Sequence, residues 1–258
     1  MKRNKNMTTH LMNYIAENSI TSHSELASKI KDDLGVSSRI YEEEGLIVLN
    51  YCQIESPKTH PVVIECRGTI LDKELNVICK PFDRFFNYGE ALELTKDFDF
   101  GRAEAYEKLD GSLIKVYWWD GRWNIATRGT AFAEGANYTG ELFVDMVLET
   151  VGCSNIDEFT SLFNDCTPDF DATYLFEFIS NKNRVVTPYK ESSLVFLGSS
   201  NNNGCSESFS FGYTRSCAGI MSEVFSNIRA PKSYELFKDK DELMYKVVGL
   251  EEGLVCYD

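Results

Sequence analysis

Tyr106-Glu107-Lys108-Leu109-Asp110-Gly111-Ser112-Leu113 sets a lysine two residues before an Asp-Gly turn, between segments whose apolar residues alternate. Alternation with a period of two is the mark of a strand. Just downstream, Asp120-Gly121 joins Leu113-to-Trp119 to Arg122-to-Thr127, a short-range signal for a hairpin with a two-residue turn. The spacing predicts a meander over Glu104 to Thr130, with Lys108 at the end of the strand that enters it.

Working outward, Ile40 to Tyr51 and Val62 to Lys80 read as strands, with Lys73-Glu74-Leu75-Asn76 as a turn. Upstream of these the chain looks helical. Leu11, Tyr14 and Ile15 share a face, and Ser22 with Glu25 forms a capping box ahead of Leu26, Ile30 and Leu34, closed by Gly35. Downstream, residues 136–164 read as helices, Tyr174 to Ile179 and Ser193 to Leu197 as buried strands, and Asn201-Asn202-Asn203-Gly204 as an exposed turn. Helices over about Ser216 to Asn227 and Lys238 to Val248 precede a last strand, Gly253 to Tyr257. Strand runs broken by helical runs in this way predict an α+β architecture of antiparallel sheets flanked by helices.

The 258 residues suffice for one large domain, or for a main domain with a small appendage. Against 26 Lys and Arg stand 40 Asp and Glu, a formal charge of −14, whose field repels polyphosphate. This counts against a general DNA-coating role and leaves room for a local basic groove that grips strand ends. Eight cysteines carry no C-x-x-C pair, so reduced, partly buried thiols in a cytoplasmic setting are expected rather than a zinc site. No apolar stretch approaches the roughly 20 residues of a membrane helix, and no membrane partner is expected.

A lysine at the mouth of a tight turn, with backbone amides and a carboxylate beside it, can attack phosphorus and form a phosphoramidate. Free lysine titrates near 10.4, so burial or neighbouring cations must expose the amine at neutral pH. On its own, K-x-D-G is also consistent with a surface lysine before a hairpin. Its companions are Glu65-Cys66-Arg67-Gly68, read as mid-strand, and Lys80-Pro81-Phe82-Asp83-Arg84-Phe85-Phe86-Asn87. Phe176-Glu177-Phe178-Ile179 and Glu252-Gly253-Leu254-Val255 follow later in the chain. In this order, from about Glu65 to Val255, they resemble the bacteriophage RNA ligase 1 family of ATP-dependent RNA ligases, in the covalent nucleotidyltransferase superfamily.

The resemblance implies an α+β nucleotidyltransferase domain, ATP-grasp-like in class, in which Lys108 attacks the α-phosphate of ATP. The AMP then passes to an RNA 5′-phosphate, and a 3′-hydroxyl displaces it to seal the strand. It implies nucleotide contacts by Arg67, Arg84, Asp110, Gly111, Glu177, Arg128 and Val255, and a Mg2+ ion held by Glu252 and Glu177. Four of these have a plainer reading: Arg84 as a surface ion-pair partner of Asp83 or a neighbour, Glu177 as a solvent-facing strand residue, Val255 as core, and Arg128 as a solvated loop charge. The loop Asn181-Lys182-Asn183-Arg184 resembles a family segment as well. Relatives in the superfamily that join DNA or cap mRNA carry an arginine five residues after the lysine; Leu113 stands there, which favours RNA.

By the same resemblance, residues 61–258 form the adenylyltransferase domain and residues 1–60 a helical and strand extension packed on it. The family continues to a Lys-x-Lys strand that orients the triphosphate, whereas Lys238-x-Lys240 precedes Glu252 and reads as a charge cluster at a helix start. A truncated or split ligase, or a separate chain supplying the missing cations, is therefore expected. RNA ends and ATP are the expected partners. A nucleotidyltransferase with a non-RNA acceptor and a nucleotide-binding domain without turnover remain open as alternatives.

Overall fold

The computed structural model of the chain describes residues 9–166, 169–183, 186–202, 207–208, 210–234, 240–247 and 252–257. Helix α1 (His10–Glu17) starts at Thr9, whose side chain accepts the Met12 N–H, and α2 (His23–Leu34) at Ser22, which accepts the Glu25 N–H. Gly35 closes α2 in the left-handed region that a side chain disfavours. The expected caps are thus present.

Strands β1 (Val36–Tyr41) and β2 (Leu46–Tyr51) form an antiparallel hairpin. Next comes α3 (Pro61–Glu65), a short helix where the sequence pattern predicted a strand from Val62. Proline suits the first helical position because its missing N–H has no partner there, and four β-branched or acidic residues are too few to show a period. Glu65 is therefore not mid-strand. Its buried carboxylate accepts the His10 and Leu11 N–H groups at 3.0 and 2.7 Å, meeting donors that the first turn of α1 leaves unsatisfied. Strands β3 (Arg67–Leu71) and β4 (Val77–Cys79) complete a sheet of order β1-β2-β3-β4.

After α4 (Leu92–Thr95) and β5 (Glu104–Glu107), β6 (Ser112–Trp119) and β7 (Arg122–Thr127) form the expected hairpin, with Asp120 and Gly121 both at positive φ. Helices α5 (Phe143–Val151) and α6 (Ile156–Cys166) follow; residues 136–142, expected to be helical, instead form a turn organised by the Asn137 side chain. Then come β8 (Ala172–Ile179), β9 (Ser193–Asn201), β10 (Glu207–Ser208), α7 (Phe211–Ser222), β11 (Ile228–Arg229), β12 (Ser233–Tyr234), α8 (Lys240–Val247) and β13 (Leu254–Tyr257).

The second sheet runs β10-β9-β8-β6-β7, with β11 parallel to β9, and a third has the order β12-β5-β13. The predicted meander is thus divided: β5 lies in the third sheet and β6 in the second, and Lys108 occupies the crossing between them. Of the expected Asn201-to-Gly204 turn, Asn201 belongs to β9 and Asn202 is buried, while 203–204 lie outside the described residues. Asn202 Oδ1 accepts the Lys80 N–H and the Thr173 hydroxyl, and Nδ2 donates to the Ile78 carbonyl.

The layers follow from which faces are apolar. β2 reads Leu-Ile-Val-Leu because both of its faces are buried. Ile47 and Leu49 pack under Leu26 and Ile30 of α2, while Leu46 and Val48 meet Tyr117 and Ala126 of the second sheet. The far face of that sheet, including Phe176, Phe178 and Phe196, is covered by Met146 of α5, Phe163 of α6 and Met221 of α7. Each fully buried phenylalanine contributes about 2 to 3 kcal/mol of burial. The order is helices, sheet, sheet, helices, and the candidate site lies where the two central sheets and the small third sheet meet.

Candidate active site

Lys108 follows β5 directly. Antiparallel pairing of β13 with β5, Val255 opposite Tyr106, brings the residues before β13 alongside it. The Lys108 N–H donates to the Gly253 carbonyl at 3.1 Å, and its Nζ donates to Glu252 Oε2 at 2.9 Å. The lysine side chain is 43% exposed and that of Glu252 23%, so the pair contributes little stability, while its amine remains reachable from solvent.

The turn after Lys108 is held from both sides. Asp110 Oδ2 accepts the Val186 and Thr187 N–H groups, each at 2.6 Å, and the Asp110 N–H donates to the Tyr189 hydroxyl at 3.0 Å. Its carboxylate thus anchors the loop after β8. Gly111 is dictated by proximity: a Cβ there would lie 2.3 Å from the Phe178 carbonyl oxygen. The Gly111 N–H donates to Glu177 Oε1 at 3.1 Å.

Strand alternation places Glu177 as expected, with Phe176 and Phe178 in the helix-covered core and the carboxylate on the opposite face. It is not solvent-facing. Burial pushes its carboxyl up to about 7, and the nearby Asp110 charge adds to this; the Gly111 N–H, Arg67 and Lys108 only partly offset it.

Arg67 opens β3 opposite Asn50, with its guanidinium 4.6 Å from the centre of the half-exposed Phe85 ring. Two further arginines gather on Tyr51, Arg84 at 4.3 Å and Arg128 at 4.4 Å from the ring centre, and Arg128 Nε donates to Asn50 Oδ1 at 2.9 Å. Arg84 is not the ion-pair partner of Asp83, because Lys80 Nζ takes that carboxylate at 2.7 Å. It is 7% exposed; Nη2 reaches Gln53 Oε1 at 3.4 Å, and Nη1 is buried with no hydrogen-bond partner among the described residues.

Lys108, Asp110, Gly111, Glu177, Arg67 and Glu252 therefore surround one turn. Arg84 and Arg128 form an adjoining group reached through Asn50, and Val255 lies further along β13 in the third sheet, partly buried. Lys182 of the 181–184 loop is bound to Glu141 and Glu149, each at 2.8 Å; Arg184 lies outside the described residues, as does Lys238, while Lys240 begins α8. Tyr189, Asn50 and Tyr51 carried no sequence signal. Lys115 did, as a charge at an inward position of an apolar strand. Among the described residues no three His, Cys, Asp or Glu form a metal cluster, none of the seven described cysteines is in a disulfide, and no helix is long and apolar enough to cross a membrane.

An archaeal ATP-dependent RNA ligase superposes on this fold with a TM-score of 0.56 at 15% identity, covering 95% of this chain and 60% of that one. The architecture is that of the nucleotidyltransferase domains of polynucleotide ligases. The RNA ligase family profile matches residues 65–241. The chain is 36% identical over 239 residues to a putative bifunctional polynucleotide kinase/RNA ligase of Autographa californica nuclear polyhedrosis virus, covering 88% of this chain and 33% of that protein. It is 25% identical over 219 residues to an RNA ligase of Rhodothermus phage RM378, covering 73% and 49%. The chain belongs to the RNA ligase family, as its motifs implied, and spans less than half the length of either relative.

Proposed function

We propose that the chain is the adenylyltransferase part of an ATP-dependent RNA ligase that joins 5′-phosphate and 3′-hydroxyl RNA ends through lysyl-AMP on Lys108. The carrying observation is the reachable Lys108 amine, held by Glu252 at 2.9 Å on a turn bordered by Glu177 and Arg67. On this reading the Lys108 nitrogen lone pair forms a bond to the α-phosphorus, the bond from that phosphorus to the bridging oxygen breaks, and pyrophosphate leaves. The amine must first give up a proton, and Glu252 is the acceptor in contact with it.

The adjoining arginines suit the triphosphate. Arg84 Nη1, with no hydrogen-bond partner among the described residues, is a desolvated donor suited to a phosphate oxygen; Arg128 shares the Tyr51 ring with Arg84, and Arg67 stands over Phe85. Glu177 and Glu252 are the residues that would hold a divalent ion, because Mg2+ is usually bound by one or two carboxylates, with phosphates and water completing its shell. When bound, such an ion supplies positive charge that offsets the charge building on the leaving pyrophosphate. Asp110 and Gly111 act by shaping the turn, and Val255 by packing near the base. On this reading residues 61–258 carry the catalytic motifs, β1 and β2 of residues 1–60 complete their first sheet and supply Asn50 and Tyr51, and the enzyme works in a cytoplasmic compartment.

Intact mass of the protein after incubation with ATP and Mg2+, with Lys108→Ala alongside, tests this. A gain of one AMP that is lost in the variant and discharged by 5′-phosphorylated RNA is expected. An adduct indifferent to RNA would favour a non-RNA acceptor, and no adduct would refute the reading.

A further inference from the structure

Lys115 lies on β6, seven residues beyond Lys108, at 0% exposure in the core between the two central sheets. Among the described residues no carboxylate lies within ion-pair distance of it; its hydrogen bond goes from Nζ to the backbone carbonyl of Gly68. Burying a lysine head group against a single carbonyl is costly, and burial lowers its proton affinity.

In the β2–β3 register Leu49 faces Thr69, but the next residue, Asn50, faces Arg67, so Gly68 has no opposite number. Gly68 is a β-bulge at φ +99°, and a Cβ there would lie 2.4 Å from the Arg128 carbonyl oxygen. The bulge changes which way Arg67 faces. Leu49 packs toward α2, so Asn50, its neighbour in β2, lies on the other face, with Val48 and Ile70 toward the second sheet. Arg67, paired with Asn50, shares that face, whereas regular pairing through Gly68 would have put it on the face of Thr69, away from Glu177. Gly68 has no register partner in β2, and its carbonyl accepts the buried Lys115 Nζ–H.

We propose that Lys115 is a positioning residue of the nucleotide site: by holding the Gly68 carbonyl from inside the core it fixes the bulge that aims Arg67 at the Lys108 turn and seats the Arg128 backbone against it. This rests on the nucleotide-site reading above and goes beyond it in assigning a role to a residue that touches neither nucleotide nor RNA.

The test is a double-mutant cycle read as binding of a non-hydrolysable ATP analogue by calorimetry, with wild type, Lys115→Met, Arg67→Ala and the pair. Methionine keeps the stem and removes the donor. The Kd is expected to rise ~10- to 100-fold in Lys115→Met, the range for a hydrogen bond to a charged group. In the Arg67→Ala background the same change should add less than about threefold, because the lost effect runs through Arg67. Lys115→Arg, which keeps N–H donors, should recover part of the affinity. The thermal midpoint of Lys115→Met should stay within a few degrees (~3 °C) of wild type, loss of a buried cation offsetting the orphaned carbonyl. A Kd within twofold of wild type, losses that multiply in the double variant, or failure of both Lys115 variants to fold would each overturn the proposal. No binding by the wild type would remove the nucleotide-site reading itself, and this proposal with it.

Discussion

Glu177 makes stability depend on pH in a direction opposite to that of most carboxylates. Burial raises its folded-state value from 4.5 to about 7, so the folded protein prefers the neutral acid. The contribution is fully present below pH ~4.5 and is lost as pH rises through about 7. The whole displacement corresponds to about 3 kcal/mol, of which about 2 to 3 kcal/mol falls between pH 5 and pH 8. Glu177→Gln keeps an oxygen acceptor for the Gly111 N–H and cannot ionise. Thermal midpoints of wild type and variant at those two pH values isolate the effect, because every other titrating group is common to both. The variant should gain on wild type by roughly 5 to 10 °C at pH 8 relative to pH 5, at the 2 to 4 °C per kcal/mol typical of this size. An unchanged difference between the two proteins at both pH values would refute the argument that Glu177 is desolvated.

Glu252→Gln should alter stability by less than ~1 kcal/mol, the Lys108 pair being partly exposed, yet slow lysyl-AMP formation by roughly a hundredfold or more; denaturant melts and intact-mass time courses measure the two. Gly111→Ala should cost about 1 to 3 kcal/mol, because its Cβ meets backbone oxygen rather than a yielding side chain, and a calorimetric scan unchanged from wild type would contradict that contact.

The parts of the molecule legible in sequence were those specified locally. Asp120-Gly121 marked the β6–β7 hairpin, Ser22 and Gly35 bounded α2, and the two phenylalanines around Glu177 put its carboxylate on the face opposite theirs without saying whether that face meets a cleft or solvent. The motif order brought Lys108, Glu252, Glu177 and Arg67 into one list before their contacts were known. What was hidden depends on partners far along the chain. Val62 to Glu65 has the composition of a strand, and Pro61 with the docking of Glu65 on α1, 54 and 55 residues away, makes it the end of a helix. Asn202 sits in a polar run that reads as a surface turn but is buried through Lys80, 122 residues earlier. β5 was separable from β6 only by knowing that β12 and β13 claim it. Gly68 inside a strand pattern was a visible sign of a bulge, but which side chain it turns could be read only from the register.

The Lys108–Glu252 contact joins residues 144 positions apart, and β5 has both of its sheet partners downstream. On a translating ribosome adding about 5 to 20 residues per second, Lys108 is made roughly 7 to 30 seconds before the carboxylate that meets it. During that interval the nascent chain can form β1 to β4 and the β6–β7 hairpin, but Lys108 lacks its acidic partner and β5 has no sheet neighbour until β12 and β13 are made. The Lys108–Glu252 contact is thereby tied to synthesis of residue 252, and until β12 and β13 are made the β5 edge stays open to other strands.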